Sequence, residues 1–326
     1  MLNEKDLGSV VNEIAERSDL PEEAKRHIML RMQQLKTTKV NILITGATGS
    51  GKSSTINALF NTEVAKVGQG VDPETIDIAK YELNNVVLWD SPGLGDGKEA
   101  DNRHAKNIIG KLREKDKNGD ALIDLVLVIL DGSSRDLGTS FELINQVIIP
   151  NLGENTDRLL VAINQCDVAM KGRNWNNEKN CPEQPLIDFL EEKVKSTRRR
   201  IKEATGVDIT PIYYSAGFKD GNEQQHPYNL SKLLLFIVQH TKSEKRAVIA
   251  NDLNRNKQMW KYDDGREKYI EKAEKSMMNS VIEYARTGSE FGETIGGVLG
   301  GKAGAAMGKA VGAIVGGVVG LFAGIF

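Results

Sequence analysis

The residues with the clearest chemistry lie in Gly46-Ala47-Thr48-Gly49-Ser50-Gly51-Lys52-Ser53, a G-x-x-x-x-G-K-[ST] run between an apolar stretch and the helix-like SSTINALF. Glycines at this spacing let successive backbone N–H groups turn toward phosphate oxygens, and the helix that follows adds its positive N-terminal end. Lys52 is placed to neutralise β- and γ-phosphates, and the Ser53 hydroxyl to ligate Mg²⁺. The phosphate set expected from this loop is Gly46, Thr48, Gly49, Ser50, Gly51, Lys52, Ser53 and Ser54. Further on, Val86-Val-Leu-Trp-Asp90 ends in Asp90-Ser-Pro-Gly93, a D-x-x-G at the tip of an apolar run. Asp90 there would hold Mg²⁺ through water, and Gly93 would bring a backbone N–H to the γ-phosphate. Between the two motifs Thr75 precedes an alternating stretch and is expected to complete the Mg²⁺ set of Ser53, Thr75 and Asp90, with Thr62 as its rival. Lys52, Thr75 and Gly93 are the residues expected to act on the transferred phosphate.

A second constellation follows the apolar run Leu159–Ile163, in Asn164-Gln165-Cys166-Asp167, and a third closes ITPIYYS, in Ser215-Ala216-Gly217. Guanine presents an N1–H and an N2 amine, two parallel donors that one carboxylate accepts together, and adenine offers no such pair. Asp167 would therefore select guanine. Asn164 would tie this loop to the phosphate loop, and the Ala216 N–H would meet the guanine O6.

Positioning these groups requires short strands alternating with helices. Apolar runs at Val40–Thr45, Ile76–Leu83, Val86–Asp90, Ile123–Asp131, Leu159–Ile163 and Ile212–Ser215 predict six strands. Helices are predicted to begin at Lys52, near Asn102, near Thr139, near Gln184 and near Leu230. The alternation implies an α/β sheet covered on both faces, with ligand loops at the carboxyl ends of the strands. Pro21 followed by Glu22 and Glu23, with Lys36 late, predicts a helical segment within residues 1–37. The nucleotide domain is expected over 38–243, a helical region broken at Asp263 to Gly265 over 244–288, and a distinct tail over 289–326.

Composition narrows the setting. Lys and Arg total 43 against 45 Asp and Glu, so no global field draws the chain to nucleic acid or anionic lipid. Arg198, Arg199 and Arg200 form one basic cluster without an aromatic platform beside it, which makes nucleic acid an unfavoured partner. Two cysteines cannot build a disulfide framework, and the start MLNEKDLGSV is unlike a signal peptide, so a cytoplasmic, reducing home is expected. The four scattered histidines suggest no zinc site.

Together these motifs resemble the translation-factor-like P-loop GTPases. GATGSGKSSTINALF is similar to the phosphate loop of Era-like bacterial GTPases of the YfjP/YeeP type and of immunity-related and dynamin-like GTPases. Over residues 38 to 242 the resemblance implies a Ras-like α/β domain with a mostly parallel six-stranded sheet, one antiparallel strand, and helical N- and C-terminal extensions. It also implies switch loops around Thr75 and Asp90 to Gly95, and hydrolysis of GTP to GDP. Two positions depart from the pattern. Gln165 stands where the family usually has lysine, and Leu94 follows Gly93 where Ras-like enzymes carry a water-orienting glutamine, so slow turnover is expected. Gly49 occupies the place of the asparagine of potassium-stimulated relatives. Acceleration would then come from self-association or from a partner that supplies the missing group.

In the tail, glycine recurs at every fourth residue: Gly292, Gly296, Gly300, Gly304, Gly308, Gly312, Gly316, Gly320 and Gly324. On a helix these share one face and permit close helix–helix approach. Each interior glycine costs about 1 kcal/mol relative to alanine, so such a helix needs packing or lipid. The uncharged stretch from Ala310 to Phe326 reaches only about 25 Å as a helix, the lower limit for spanning a bilayer. Lys302 and Lys309 could snorkel to headgroups. The open alternatives are a short spanning helix, a re-entrant hairpin over 293–326, and a soluble hairpin packed on the N-terminal helices. The leading expectation is a GTPase whose nucleotide state governs self-association, as a homodimer or larger oligomer, or engagement of the inner face of a membrane. An Era-like ribosome- or RNA-associated switch and a pore-forming protein with negligible turnover are the rivals.

Overall fold

The computed structural model describes residues 22–60, 66–68, 78–95, 97–220, 223–286 and 325–326. The chain enters through helix α1 (Glu22–Thr37) and passes directly into β1 (Val40–Gly46), the centre of the sheet. Strand β1 pairs in parallel with β4 (Val86–Asp90) on one side, Val40 opposite Val86 and Ile44 opposite Asp90. On the other side it pairs in parallel with β5 (Leu125–Asp131), Ile42 opposite Leu125. Strand β6 (Leu159–Asn164) extends the parallel run from β5, and β9 (Ile212–Tyr213) extends it from β6. Both faces of these central strands are covered, which is why they read as unbroken apolar runs rather than alternating ones.

At the opposite edge β3 (Ala79–Glu82) pairs antiparallel with β4, and β2 (Lys66–Gly68) antiparallel with β3. The sheet therefore has seven strands in the order β2-β3-β4-β1-β5-β6-β9, one more than the six expected. The extra one, Lys-Val-Gly, is too short and too weakly apolar to announce itself. The expected strand at Ile212–Ser215 is cut to two residues because Ser215 turns away to exchange backbone hydrogen bonds with Tyr228 (2.9 Å each way).

Two cores sandwich the sheet. On one face Ile42, Ile44, Leu88, Leu127 and Ile129 pack with α2 (Lys52–Leu59) and α6 (Leu230–His240). On the other, Leu43, Val126, Val128 and Leu130 meet α3 (Lys98–Arg113), α4 (Gly138–Glu142, continued by π-type turns to Ile148) and α5 (Gln184–Thr205). Helix α3 starts four residues before the expected Asn102, with Glu99 and Asp101 in the first turn and Lys111 and Arg113 in the last, as the helix dipole favours.

Residues from 243 onward do not form one helix up to the expected break. Ser243–Asp252 and Lys257–Trp260 are 3₁₀ segments, and α7 (Arg266–Arg286) follows the break at 263–265. Between the 3₁₀ segments the side chains of Asn254 and Asn256 accept bonds from the Asn256 and Gln258 N–H groups (2.9 and 3.1 Å), local turns that compete with helix. The expected domain boundary near 244 falls at the start of a segment whose Val248, Ile249, Ala250, Leu253 and Trp260 are wholly buried in the same core as β1. The Asp252 carboxylate accepts from the N–H groups of Asn84 (2.9 Å), Asn85 (2.6 Å) and Val86 (2.7 Å), clamping the β3–β4 turn. Ile325 is buried in this core too, and Phe326 meets the Trp260 ring edge-on at 5.3 Å. Residues 1–21 and 289–324, the repeated glycines among them, and Thr62 and Thr75 lie outside the described residues. No helix among the described residues is long and apolar enough to cross a membrane.

Candidate nucleotide site

Strands β1, β4, β5 and β6 end at Gly46, Asp90, Asp131 and Asn164, along one edge of the sheet. The phosphate loop follows β1. Gly51, just before α2, has φ +86, and a Cβ there would come within 2.2 Å of Asn164 Nδ2, so both backbone and space require glycine. Lys52 turns its ammonium back over the loop, donating to the carbonyls of Ala47 (3.1 Å) and Gly46 (3.3 Å). Ser50 is buried with its hydroxyl unpartnered among the described residues, while Ser53 and Ser54 are exposed on the first turn of α2.

Asp90 ends β4 with Oδ1 buried and unpartnered among the described residues. Burial raises its carboxyl above the ordinary range, and the Lys52 charge pulls the other way. Such a desolvated carboxylate beside the phosphate loop fits a divalent cation, with Ser53 the hydroxyl placed to share it. The D-x-x-G segment then crosses the phosphate loop. Leu94 N–H donates to the Gly46 carbonyl (3.3 Å), and Thr48 N–H donates to the Leu94 carbonyl (3.0 Å). At Gly93 a Cβ would fall 2.2 Å from Thr48 Oγ1 and 2.5 Å from Thr48 Cα, so only glycine permits this approach. The Leu94 side chain points into the core on the α3 face.

The base-reading residues meet the phosphate loop through one amide. Asn164, buried after β6, donates from Nδ2 to the Ser50 carbonyl and accepts at Oδ1 from the Ala216 N–H, both at 2.9 Å. Three loops are thereby held in register by a single side chain. The Ala216 N–H expected to meet a purine oxygen is thus engaged by the Asn164 side chain. Asp167 is buried, and its Oδ1 has no hydrogen-bond partner among the described residues. Ser215 is buried and accepts from the Gly217 N–H (3.2 Å), closing the third loop.

Two contributions escaped the sequence reading. Gln165, in the left-handed region at φ 60, donates from Nε2 to the Gly49 carbonyl (2.7 Å), so the neutral replacement for lysine still bridges to the phosphate loop. Tyr214 OH and Thr55 Oγ1 share a buried hydrogen bond (2.7 Å), pinning the end of β9 to α2. Burial pushes the Tyr214 phenol well above its usual range, keeping it neutral. The arginine cluster does not form a uniform basic surface. Arg198 is paired with Asp208, whereas Arg200 lies over the Phe141 ring at 4.7 Å.

Along one edge of the mostly parallel sheet lie a Walker-type loop, a D-x-x-G strand end and the Asn164–Asp167 and Ser215–Gly217 loops, a layout similar to that of P-loop GTPase domains. Residues 41–165 match the family model described as 50S ribosome-binding GTPase. Among curated proteins, the chain is 31% identical over 157 residues to the uncharacterized protein YfjP of Escherichia coli K12, covering 47% of this chain and 50% of that one. It is 39% identical over 70 residues to Interferon-inducible GTPase 1 of Mus musculus, covering 20% of this chain and 17% of that one. The chain thus spans at most half the length of these two relatives. Among solved structures it aligns with a probable GTP-binding protein engB at 24% identity, with 62% and 98% of the two chains covered and a TM-score of 0.38.

Proposed function

We propose that the chain binds guanine nucleotide with Mg²⁺ and slowly hydrolyses GTP to GDP and phosphate, its nucleotide state governing self-association or membrane engagement. The observation that carries the reading is the Asn164 clasp. It fixes the phosphate loop and the third loop around Asp167, whose buried carboxylate oxygen can accept the paired N1–H and N2 donors of guanine. Lys52 then neutralises the outer phosphates and the first turn of α2 contributes backbone N–H groups. Asp90 and Ser53 would hold Mg²⁺, which supplies charge neutralisation at the β- and γ-phosphates. Thr75, outside the described residues, is the sequence's choice for a further Mg²⁺ ligand. Gly93 is positioned to present its N–H to the γ-phosphate.

Slow hydrolysis follows from Leu94. Its side chain has no hydrogen-bonding atom and is buried in the core, so this position cannot orient an attacking water. Self-association is the route by which a second molecule would supply that group, and the every-fourth-residue glycines motivate a lipid or packed-helix role for 289–326. Membrane engagement would first have to free Ile325 and Phe326 from the Trp260 core. The test is phosphate release as a function of protein concentration, with and without liposomes, against Lys52→Ala. Release that matches Lys52→Ala under all conditions would overturn the enzyme reading. Specific activity that ignores both concentration and lipid would overturn the switching reading.

A further inference from the structure

Beside the nucleotide loops, α5 and the segments after β5 and β6 enclose an open cavity of about 690 Å³. That is the size of small-ligand sites rather than of packing defects. Its lining is unusually cationic: Arg135, Lys171, Arg173, Lys193 and Arg200, against a single carboxylate, Glu192. Arg135, Lys171 and Arg200 are exposed, and none forms an ion pair among the described residues. Lys193 is fixed differently, its ammonium donating to the carbonyls of Gly132 (2.6 Å) and Ser134 (2.7 Å). Burial lowers its pKa, so an anion nearby would relieve a desolvated charge. The aromatic surface is there as well: Phe189 is 41% exposed on this wall, with the Lys193 ammonium 6.0 Å from its ring centroid.

The backbone at the rim is held out of its ordinary range. Met170, Lys171 and Gly172 take φ of 54, 61 and 72 in succession, and the first two are not glycine. Such strain persists only where surroundings impose it, and it gathers at ligand sites. The rim also continues into the base-reading loop, since Lys171 lies four residues after Asp167. One residue before Ser133 of the lining, Gly132 N–H donates to the Asn164 carbonyl (2.7 Å), and a Cβ on Gly132 would strike that same oxygen at 2.4 Å.

We propose that this cavity is a second ligand site, for a small organic polyanion with an aromatic part, of nucleotide size. Its cations take the anionic groups and Phe189 takes the ring. Because Gly132, the neighbour of Ser133 in the lining, is bonded to the Asn164 carbonyl, and Met170 and Lys171 of the lining follow Asp167 in the chain, occupancy alters the rate at which guanine nucleotide leaves. This second clause rests on the reading of the first site, whereas binding itself does not.

The experiment uses the full chain saturated with GDP and excess Mg²⁺, titrated calorimetrically with ATP and, separately, with tripolyphosphate. ATP carries both charge and ring, and tripolyphosphate carries charge alone. One further site for ATP is expected, with tripolyphosphate binding more weakly. The double variant R135E/R200E should weaken both at least tenfold, and Phe189→Ala should weaken ATP without affecting tripolyphosphate. These positions are exposed, so retained GDP affinity in each variant certifies the fold. Addition of ATP should change the release rate of a fluorescent GDP analogue in the wild type and not in the double variant. Neither probe binding at millimolar concentration, or equal binding to wild type and double variant, would overturn the site. Equal affinity for the two probes would overturn the aromatic half, and an unchanged release rate the coupling. Failure of GDP to bind at all would instead condemn the first site, which the same titration series reads separately.

Discussion

Replacing Asn164 by alanine tests the architecture of the nucleotide site at its narrowest point. The side chain is 2% exposed and makes two hydrogen bonds of 2.9 Å, one to the Ser50 carbonyl and one from the Ala216 N–H. Truncation leaves both backbone groups without this partner, and an unsatisfied buried group costs about 1–3 kcal/mol. The two together set an expected loss of roughly 2–6 kcal/mol in unfolding free energy, read as a lower urea midpoint with unchanged slope. The loss should reappear in binding, because the loops must be assembled before a nucleotide can bridge them. At about 1.4 kcal/mol per decade, GDP affinity should fall on the order of a hundredfold. Asp167→Asn makes the contrasting case three residues away. Asp167 Oδ1 has no hydrogen-bond partner among the described residues, so that variant should keep its urea midpoint while losing guanine. An amide offers a donor as well as an acceptor, so it should gain affinity for xanthosine diphosphate, whose C2 carries an oxygen acceptor. If Asn164→Ala unfolds at the wild-type midpoint and binds GDP equally well, the clasp is not what assembles the site. If Asp167→Asn keeps its guanine preference, the carboxylate does not read the base.

Three other expectations concern separate parts of the molecule. Gly93→Ala puts a methyl within 2.5 Å of Thr48 Cα, a contact backbone cannot yield easily, so it should cost about 1–3 kcal/mol of stability and abolish any preference for GTP over GDP in calorimetry. Asp263 is raised by burial from 3.8 to about 7, with Asp264 adding like charge and the Lys232 N–H opposing. A carboxyl whose folded pKa lies above its unfolded value loses stability as pH rises through that window, from about 4 to about 7. Asp263→Asn should therefore be more stable than wild type by on the order of 4 kcal/mol at pH 8 and indistinguishable at pH 4 in urea unfolding. An equal difference at both pH values would refute the assignment. Finally, Phe326→Asp should break the edge-on contact with Trp260 and increase flotation with liposomes, and unchanged flotation would show that this contact does not restrain the tail.

The gathering of the candidate site at the strand ends was largely legible because it is carried by local spacing. The runs around Lys52, Asp90 and Asn164 each sit at a strand end that an apolar stretch foretold, and the parallel core followed from the same stretches. What could not be read were contacts between residues distant in sequence. Nothing in the motif around Asn164 says that its amide divides itself between Ser50 and Ala216, or that Gln165 reaches Gly49. Strand β2 escaped because an edge strand of three residues owes its form to its partner rather than to its own propensity. The 3₁₀ run after Ser243 escaped because asparagine side chains and long-range packing overrule a helical composition. Leu94 was anticipated as a missing hydrogen-bond donor, but its burial in the core is a property of the fold alone.

The C-terminal segment bears on the nucleotide site through one strand. Asp252 holds the N–H of Val86, the first residue of β4, and Asp90, the candidate cation ligand, is the last. Only four residue steps, about 13 Å of extended chain, separate the anchor from the site. That strand is hydrogen-bonded to β1 on one side and β3 on the other, so it has little freedom to bend along its length. A second tie runs through Asn229 before α6, whose Oδ1 accepts from the Asp264 N–H (2.9 Å) while its Nδ2 donates to the Tyr213 carbonyl (3.2 Å), one residue before Tyr214 and two before Ser215. Residues 243–264 therefore grip the nucleotide domain behind both the phosphate edge and the base edge. A third tie joins Asn254 to α2, its N–H donating to the Leu59 carbonyl (2.9 Å) and its Nδ2 to the Asn57 carbonyl (3.0 Å). Cutting the first two separately, with Asp252→Ala and Asn229→Ala, distinguishes a tail that responds to γ-phosphate from one that responds to the base.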